Sequence, residues 1–486
     1  MRRAAVVPAL LLSMLAASRA RAAEPVEALL RQRAEAFVAA MNAVDRATLE
    51  AFARDHLESR VAREGHAGRF ADRMIETRAE LGAIERHSVQ VLRGGSLVFV
   101  YGKHAKGGAW QNYQFRVVAG DGHRLQLVFR AVAVEPLERP GAPLASEEAS
   151  RWLRQFQARL EEQQPFSGIA LVRSRGREAY SLVKGTADAA KGAPVTRRSR
   201  FGMASGSKMF TAVATLQLAQ RGRLSLSDPV AKHLPDFPNP EFAKRATIHQ
   251  LLTHTAGAGN YWDDAYEKEW DRITELRQML PFVLTHLGEQ PAGEFSYSNS
   301  GYVLLGLVIE AVSGTGYYDY IRTHVLEPAG MASTGFPVRT DATPDRALPY
   351  EPEMDAGAVK PGVYVPVTLG ARGSSAGGAS TTVDDLLRFV DALRGGVLLD
   401  QAHLDLMTRG HVRYGGPDSG YGYGTIVERD RGVLSWGHGG MAPGTQFELK
   451  VYPERDAVVV VMSNYNTIAG PEMASALDHL VRNPER

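Results

Sequence analysis

Two periodicities alternate along this chain, and their order predicts its architecture. Past residue 24, apolar positions recur at helical intervals through Val26-Met41, near Leu49-Phe52 and around Phe70-Leu81. Four short alternating runs follow, Ser88-Leu92, Ser96-Tyr101, Trp110-Val118 and Arg124-Val132, separated by glycine-bearing turns at Gly94-Gly95, Gly107-Gly108 and Gly120-Asp121-Gly122. Helices and then strands predict a small α+β domain over 24–134, an antiparallel sheet packed on helices. Glu135-Pro136 and Arg139-Pro140-Gly141-Ala142-Pro143 restrain the backbone and mark a linker over 135–147. Beyond it, Ala149-Leu160 has helical spacing and Gly168-Arg173 reads as a strand. The chain ends on strands Gln446-Tyr452 and Ala457-Met462 and a helix over Glu472-Val481. Residues 148–486 are therefore predicted to form an α/β sandwich of the α+β class, an antiparallel sheet flanked by helices with an all-helical subdomain near 210–330.

The element order of the first domain resembles the cone-shaped α+β fold of the nuclear-transport-factor-like domains. It brings no convergent acid–base set, and reads as a structural or partner-binding part, self-association included.

Composition narrows the function. Charged residues make up 23% and hydrophobic ones 44% of 486, the balance of a globular protein. With 56 basic against 54 acidic residues the net charge is +2, which gathers no nucleic acid. The chain opens Met1-Arg2-Arg3, runs apolar from Ala4 to Ala17 and reaches Ala20-Arg21-Ala22, the pattern of a cleavable signal peptide over 1–22. A membrane anchor needs about 20 apolar residues, and this run is shorter and broken by Pro8 and Ser13. There is no cysteine, hence no disulfide and no lipid-bearing cysteine. A protein that is periplasmic or secreted, without a stable membrane anchor, is the expectation.

Chemistry concentrates in Phe201-Gly202-Met203-Ala204-Ser205-Gly206-Ser207-Lys208, which runs into the helically spaced Met209-Gln220. Lysine at i+3 projects from the face that carries Ser205, so its amine can act as base to the hydroxyl. Free lysine has a pKa of about 10.4 and is already protonated at neutral pH. Burial and a helix N-terminus both disfavour the charged form, and the same helix end offers N–H groups to an oxyanion. Alone, Ser-x-x-Lys arises by chance roughly once in a chain of this size, and a capped surface helix explains it equally well. A second segment, Gly293-Glu294-Phe295-Ser296-Tyr297-Ser298-Asn299-Ser300-Gly301, sets a phenol and an amide two residues apart before the apolar helix Tyr302-Val312. A third, Trp436-Gly437-His438-Gly439-Gly440, follows the short strand Val433-Ser435, and its glycines let a substrate backbone approach.

With Gln250-Leu251-Leu252-Thr253-His254-Thr255-Ala256-Gly257, Gly222 to Pro229 and Gly420-Tyr421-Gly422-Tyr423-Gly424, these segments make residues 150 onward similar to the serine β-lactamase and penicillin-binding-protein superfamily, nearest its class C and esterase branch. The resemblance implies a serine hydrolase acting through an acyl-enzyme on an ester, a D-amino-acid peptide or a β-lactam. It assigns acylation to Ser205, proton abstraction to Lys208, and proton relay and water activation to Tyr297. Asn299, His438 and Gly440 would bind substrate, and the N–H groups of Ser205 and Met441 would form the oxyanion hole. No metal and no cofactor is implied; the partner is a small-molecule or peptide substrate. The departure is His438, where relatives carry the lysine of Lys-Thr-Gly. Histidine titrates near about 6.5, so it holds a carboxylate weakly or serves as proton carrier, which points away from a dedicated penicillinase.

Rival readings remain at this point. Gly373-Ser374-Ser375-Ala376-Gly377 satisfies the nucleophile-elbow pattern of an α/β-hydrolase, with Ser375 as nucleophile and Asp384 or Asp385 and His438 after it. Against it, Gly378-Ala379-Ser380 separate the serine from the helical Thr382-Leu393. His249 and His254 lack the spacing of paired metal ligands on a helix and read as packed residues. Trp262-Asp263-Asp264 is either a substrate entrance or a plain surface loop. A catalytically silent protein that binds cell-wall peptides is the competing class, and the intact Ser205, Lys208 and Tyr297 argue against it.

Overall fold

The computed structural model describes residues 9–43, 45–58, 66–92, 97–106, 110–118, 122, 124–133, 137, 139–163, 165–288, 291–355, 358–414 and 418–483. The chain divides into two compact units, one of residues 1–138 with 415–419 and 428–431, the other of 139–414, 420–427 and 432–486.

In the first unit, helices α1 (Ala9–Ala43), α2 (Arg46–His56) and α3 (His66–Leu81) precede strands β1 (Ile84–Leu92), β2 (Leu97–His104), β3 (Trp110–Val118) and β4 (Arg124–Ala133). The strands form one antiparallel sheet in chain order. Leu30, Ala34, Phe37, Val38 and Met41 recur at helical spacing and bury one face of α1. Phe37 lies at the centre of the core, its ring 5.0 Å from those of Tyr113 and Phe115 and 5.6 Å from Phe52. Asp45 caps α2 by accepting the Thr48 N–H at 2.8 Å. The expected turns Gly94-Gly95, Gly107-Gly108 and Gly120-Asp121 lie outside the described residues, as do residues 1–8 of the expected leader and Glu135-Pro136 of the linker. No helix among the described residues is long and apolar enough to cross a membrane.

Beyond residue 139 come α4 (Glu147–Gln163) and an eight-stranded sheet. Its strands are β5 (Gly168–Ser174), β6 (Arg177–Lys184), β7 (Val412–Arg413), β8 (Ser419–Tyr421), β9 (Ile426–Asp430), β10 (Val433–Ala442), β11 (Thr445–Tyr452) and β12 (Ala457–Ser463), in the order β7-β8-β9-β10-β11-β12-β5-β6. Every residue of β12 is buried, which explains the unbroken apolar run Ala457-Met462: a central strand covered on both faces shows no alternation. The C-terminal helix α8 (Ala469–Arg482) packs on β5, β11 and β12.

Between β6 and β7 lie the mostly helical residues that carry the chemistry. Helix α5 (Lys208–Gln220) is buried from Lys208 through Leu218, so it is the axis of this part rather than an amphipathic cover. Against it packs α6 (Asn299–Ser313), capped at its start by Ser298 and ended by Gly314 in the left-handed region. Helix α7 (Val383–Arg394) follows the turn 373–379. The third chemical segment departs from expectation: β10 does not stop at Ser435 but continues through His438 and Gly440 to Ala442, pairing with β11 at His438↔Leu449 and Gly440↔Phe447. Glycine-rich residues carry no strand signal of their own, and the ladder with β11 supplies what propensity lacks.

Candidate active site

Ser205 does not open an α-helix. It sits in a single 3-10 turn, Ala204–Ser207, and α5 starts at Lys208. The turn is strained, with Ala204 at φ +42°, a conformation that costs a residue bearing a Cβ and persists only where the surroundings enforce it. They do so with Met203 N donating to Ala379 O at 2.8 Å, Gly378 N to Ala204 O at 3.1 Å, and Ala379 N to Ser207 Oγ at 2.9 Å. Gly206 is required because a Cβ there would fall 2.3 Å from the Phe447 ring.

Lys208 is fully buried, while Ser205 one turn away is half-buried and reachable. The lysine Nζ lies 3.2 Å from Ser205 Oγ, 2.7 Å from Asn299 Oδ1 and 2.6 Å from the carbonyl oxygen of Ala376. Burial holds its ammonium well below the ordinary lysine range. Two of its three neighbours accept hydrogen bonds only. In the neutral amine, Asn299 Oδ1 and Ala376 O take the two protons, and the lone pair is left for the Ser205 hydroxyl. Thr211 holds the residue before it, its hydroxyl donating to Ser375 O at 2.7 Å.

The Tyr297 ring lies 4.9 Å from the lysine Nζ. Burial drives its phenol well above the ordinary tyrosine value, so it keeps its proton. Asn299, the first residue of α6, also donates through Nδ2 to Asn260 Oδ1 at 3.1 Å. Gly440 abuts the turn that carries Ser205: a Cβ there would lie 2.2 Å from Met203 O and 3.0 Å from the Ser205 amide nitrogen. Met441 follows it with its side chain 64% exposed.

His438 is buried, and burial followed by the nearby Lys208 charge lowers its pKa to about 3. Its Nδ1 faces the Gly439 carbonyl oxygen, which only accepts, so Nδ1 carries the proton and Nε2 accepts from Tyr421 OH at 3.0 Å. The expectation of a group titrating near neutrality is therefore corrected: burial favours the neutral imidazole.

Ser375 is also corrected. Its side chain is fully buried against Gly306, its hydroxyl has no hydrogen-bond partner, and the turn around it serves to present Ala376 O to Lys208. Asp384 pairs with Arg197, and Asp385 accepts from Ser333 N and Thr334, so no triad forms. His249 bonds Tyr423 OH at 2.8 Å, and no metal-binding group of three His, Cys, Asp or Glu occurs among the described residues.

His254 is a member of the site that spacing did not single out. Held at φ +59°, it accepts the Ser298 N–H on Nδ1 at 3.0 Å, and its ring lies 4.3 Å from that of Tyr297 and 4.6 Å from Tyr421. Asn260, Tyr421 and the Ala376 carbonyl were missed likewise. Only the motif segments containing His254 and Tyr421 gave a signal, and a motif match assigns no contact.

The sequence profile of the Beta-lactamase family matches residues 151–481. Esterase EstB of Burkholderia gladioli is 30% identical over 328 residues, 58% of this chain and 83% of EstB. Penicillin-binding protein 4* of Bacillus subtilis (strain 168) is 28% identical over 343 residues, 66% of this chain and 74% of that protein. The crystal structure of a penicillin binding protein from Bacillus halodurans matches with a TM-score of 0.59 and 30% identity, over 69% of this chain and 99% of its own.

Proposed function

The chain belongs to the beta-lactamase family, a family of serine hydrolases, and from that premise we propose that it hydrolyses an ester or amide through an acyl-enzyme on Ser205. The observation that carries this reading is the buried Lys208 amine, 3.2 Å from Ser205 Oγ, with two acceptor-only neighbours that turn its lone pair toward the hydroxyl. Lys208 takes the Ser205 proton as Oγ bonds to the substrate carbonyl carbon. The amides of Ser205 and Met441 receive the oxyanion. As the bond to the leaving group breaks, Tyr297 gives that group its proton and regains one from the Lys208 ammonium. Water, activated beside Tyr297, then attacks the acyl carbon and gives one proton to Lys208, which passes it to Ser205 Oγ as the bond to the acyl group breaks and the acid leaves. Asn299 holds Lys208 and meets the substrate carbonyl.

His438, neutral and occupied by Tyr421, offers no positive charge to a substrate carboxylate. This supports an uncharged ester or amide over a β-lactam, and a panel of nitrophenyl butyrate, a D-alanyl anilide and a chromogenic cephalosporin measures the preference. The basic and then apolar opening of the chain supports export, which N-terminal sequencing of the mature protein checks against cleavage after Ala22. Intact mass after a fluorophosphonate tests the chemistry: one adduct is expected on the native chain and none on Ser205→Ala, and an equal adduct on that variant overturns the assignment.

A further inference from the structure

The segment after Asn260 belongs to the wall of the same site. Asn260 bonds Asn299, which bonds Lys208, and Ser298 Oγ donates to Gly259 O at 2.5 Å. Gly259, at φ +63°, is packed so closely that a Cβ would fall 2.3 Å from His286 O. The loop is thus pinned from two sides. The next residue, Tyr261, is buried, its ring 4.8 Å from that of Tyr266.

Trp262 follows, with its Cα within about 7 Å of that of Asn260 along the chain. It is 39% exposed, unusual for so large an apolar group. It is not loose: the indole N–H donates to Glu267 Oε1 at 2.7 Å, and its ring packs at 5.5 Å from Tyr266 and 6.0 Å from Trp270. Fixing an exposed indole costs side-chain entropy before any ligand arrives, so a ligand that stacks on it does not bear that cost.

We propose that Trp262 is the specificity platform of this hydrolase, receiving the aromatic ring of an acyl group. The proposal rests on the acyl-enzyme reading of Ser205 and adds the substrate class. Ring-on-ring stacking supplies the preference.

The test compares nitrophenyl phenylacetate with nitrophenyl acetate. The native chain is expected to favour the phenylacetyl ester in kcat/KM. Trp262→Ala should shrink that preference about tenfold, chiefly through KM, the order that one ring contact supplies. Trp262→Phe should keep most of it, and Trp262→Leu, similar in hydrophobicity but without a ring, should not. Should Trp262→Ala fail to fold, the Phe and Leu pair decides alone. An unchanged preference in active Trp262→Ala, or equal values for Phe and Leu, overturns the platform while leaving the acyl-enzyme intact. A native chain that neither hydrolyses the esters nor takes a fluorophosphonate overturns both.

Discussion

The Nζ of Lys208 lies 3.2 Å from the Oγ of Ser205, and among the described residues no carboxylate pairs with that amine. A buried lysine without an anionic partner favours its neutral form, because the ammonium loses hydration that nothing restores. The arrangement therefore makes a base out of a residue that in water is an acid. Lys208→Met keeps the apolar packing of α5 and removes the base. Its kcat/KM on nitrophenyl butyrate is expected to fall about a thousandfold with the fold retained by circular dichroism. Lys208→Arg, which stays charged, should be equally inactive and melt at lower temperature.

Tyr297→Phe separates the ring from the hydroxyl. The ring contacts with His254 and Lys208 persist, but no proton reaches the leaving group. Nitrophenolate leaves without a proton and an amine does not, so turnover of the D-alanyl anilide should fall about a hundredfold more than release of nitrophenol in the acylation burst. Stopped-flow burst amplitudes beside steady-state rates measure the difference.

His438 makes stability depend on pH. Its pKa is about 3 in the folded chain and near the ordinary 6.5 when unfolded. Between these values the unfolded state binds more protons, so stability rises with pH across that window and is lost on acidification. The slope reaches at most about 1.4 kcal/mol per pH unit for one such group. His438→Gln cannot titrate, yet it can still accept from Tyr421. The gap in melting temperature between pH 7 and pH 4 should narrow in that variant, and part of it should remain because burial lowers His254 as well.

Gly440→Ala places a methyl 2.2 Å from Met203 O and 3.0 Å from the Ser205 amide. Strand β10 must then retreat from the nucleophile turn, and the oxyanion donors separate. Activity is expected to drop by about a hundredfold or more, with a loss of about 1–3 kcal/mol in urea unfolding.

Much of this protein was legible from local pattern. The order of helices and strands in the first unit, the β12 strand and the Ser205-x-x-Lys208 spacing all depend on residues close in the chain, where periodicity and the i+3 rule act directly. The extent of β10 was not legible, because its glycines gain strand structure only by pairing with β11. Nor was the true setting of Ser205, which rests on a strained Ala204 that residues 378 and 379 hold in place.

The sequence by itself determined which groups are available: a serine, a lysine one turn away, a tyrosine, an asparagine and a histidine where a lysine is usual. Only the tertiary structure decided their protonation. The acceptors that orient Lys208 come from Asn299 and Ala376, 91 and 168 residues away, and the burial that lowers it comes from the packed surroundings. The same burial silences His438 and seals Ser375 from solvent. Desolvation and hydrogen-bond direction are properties of assembled surroundings, and no spacing of residues along a chain contains them.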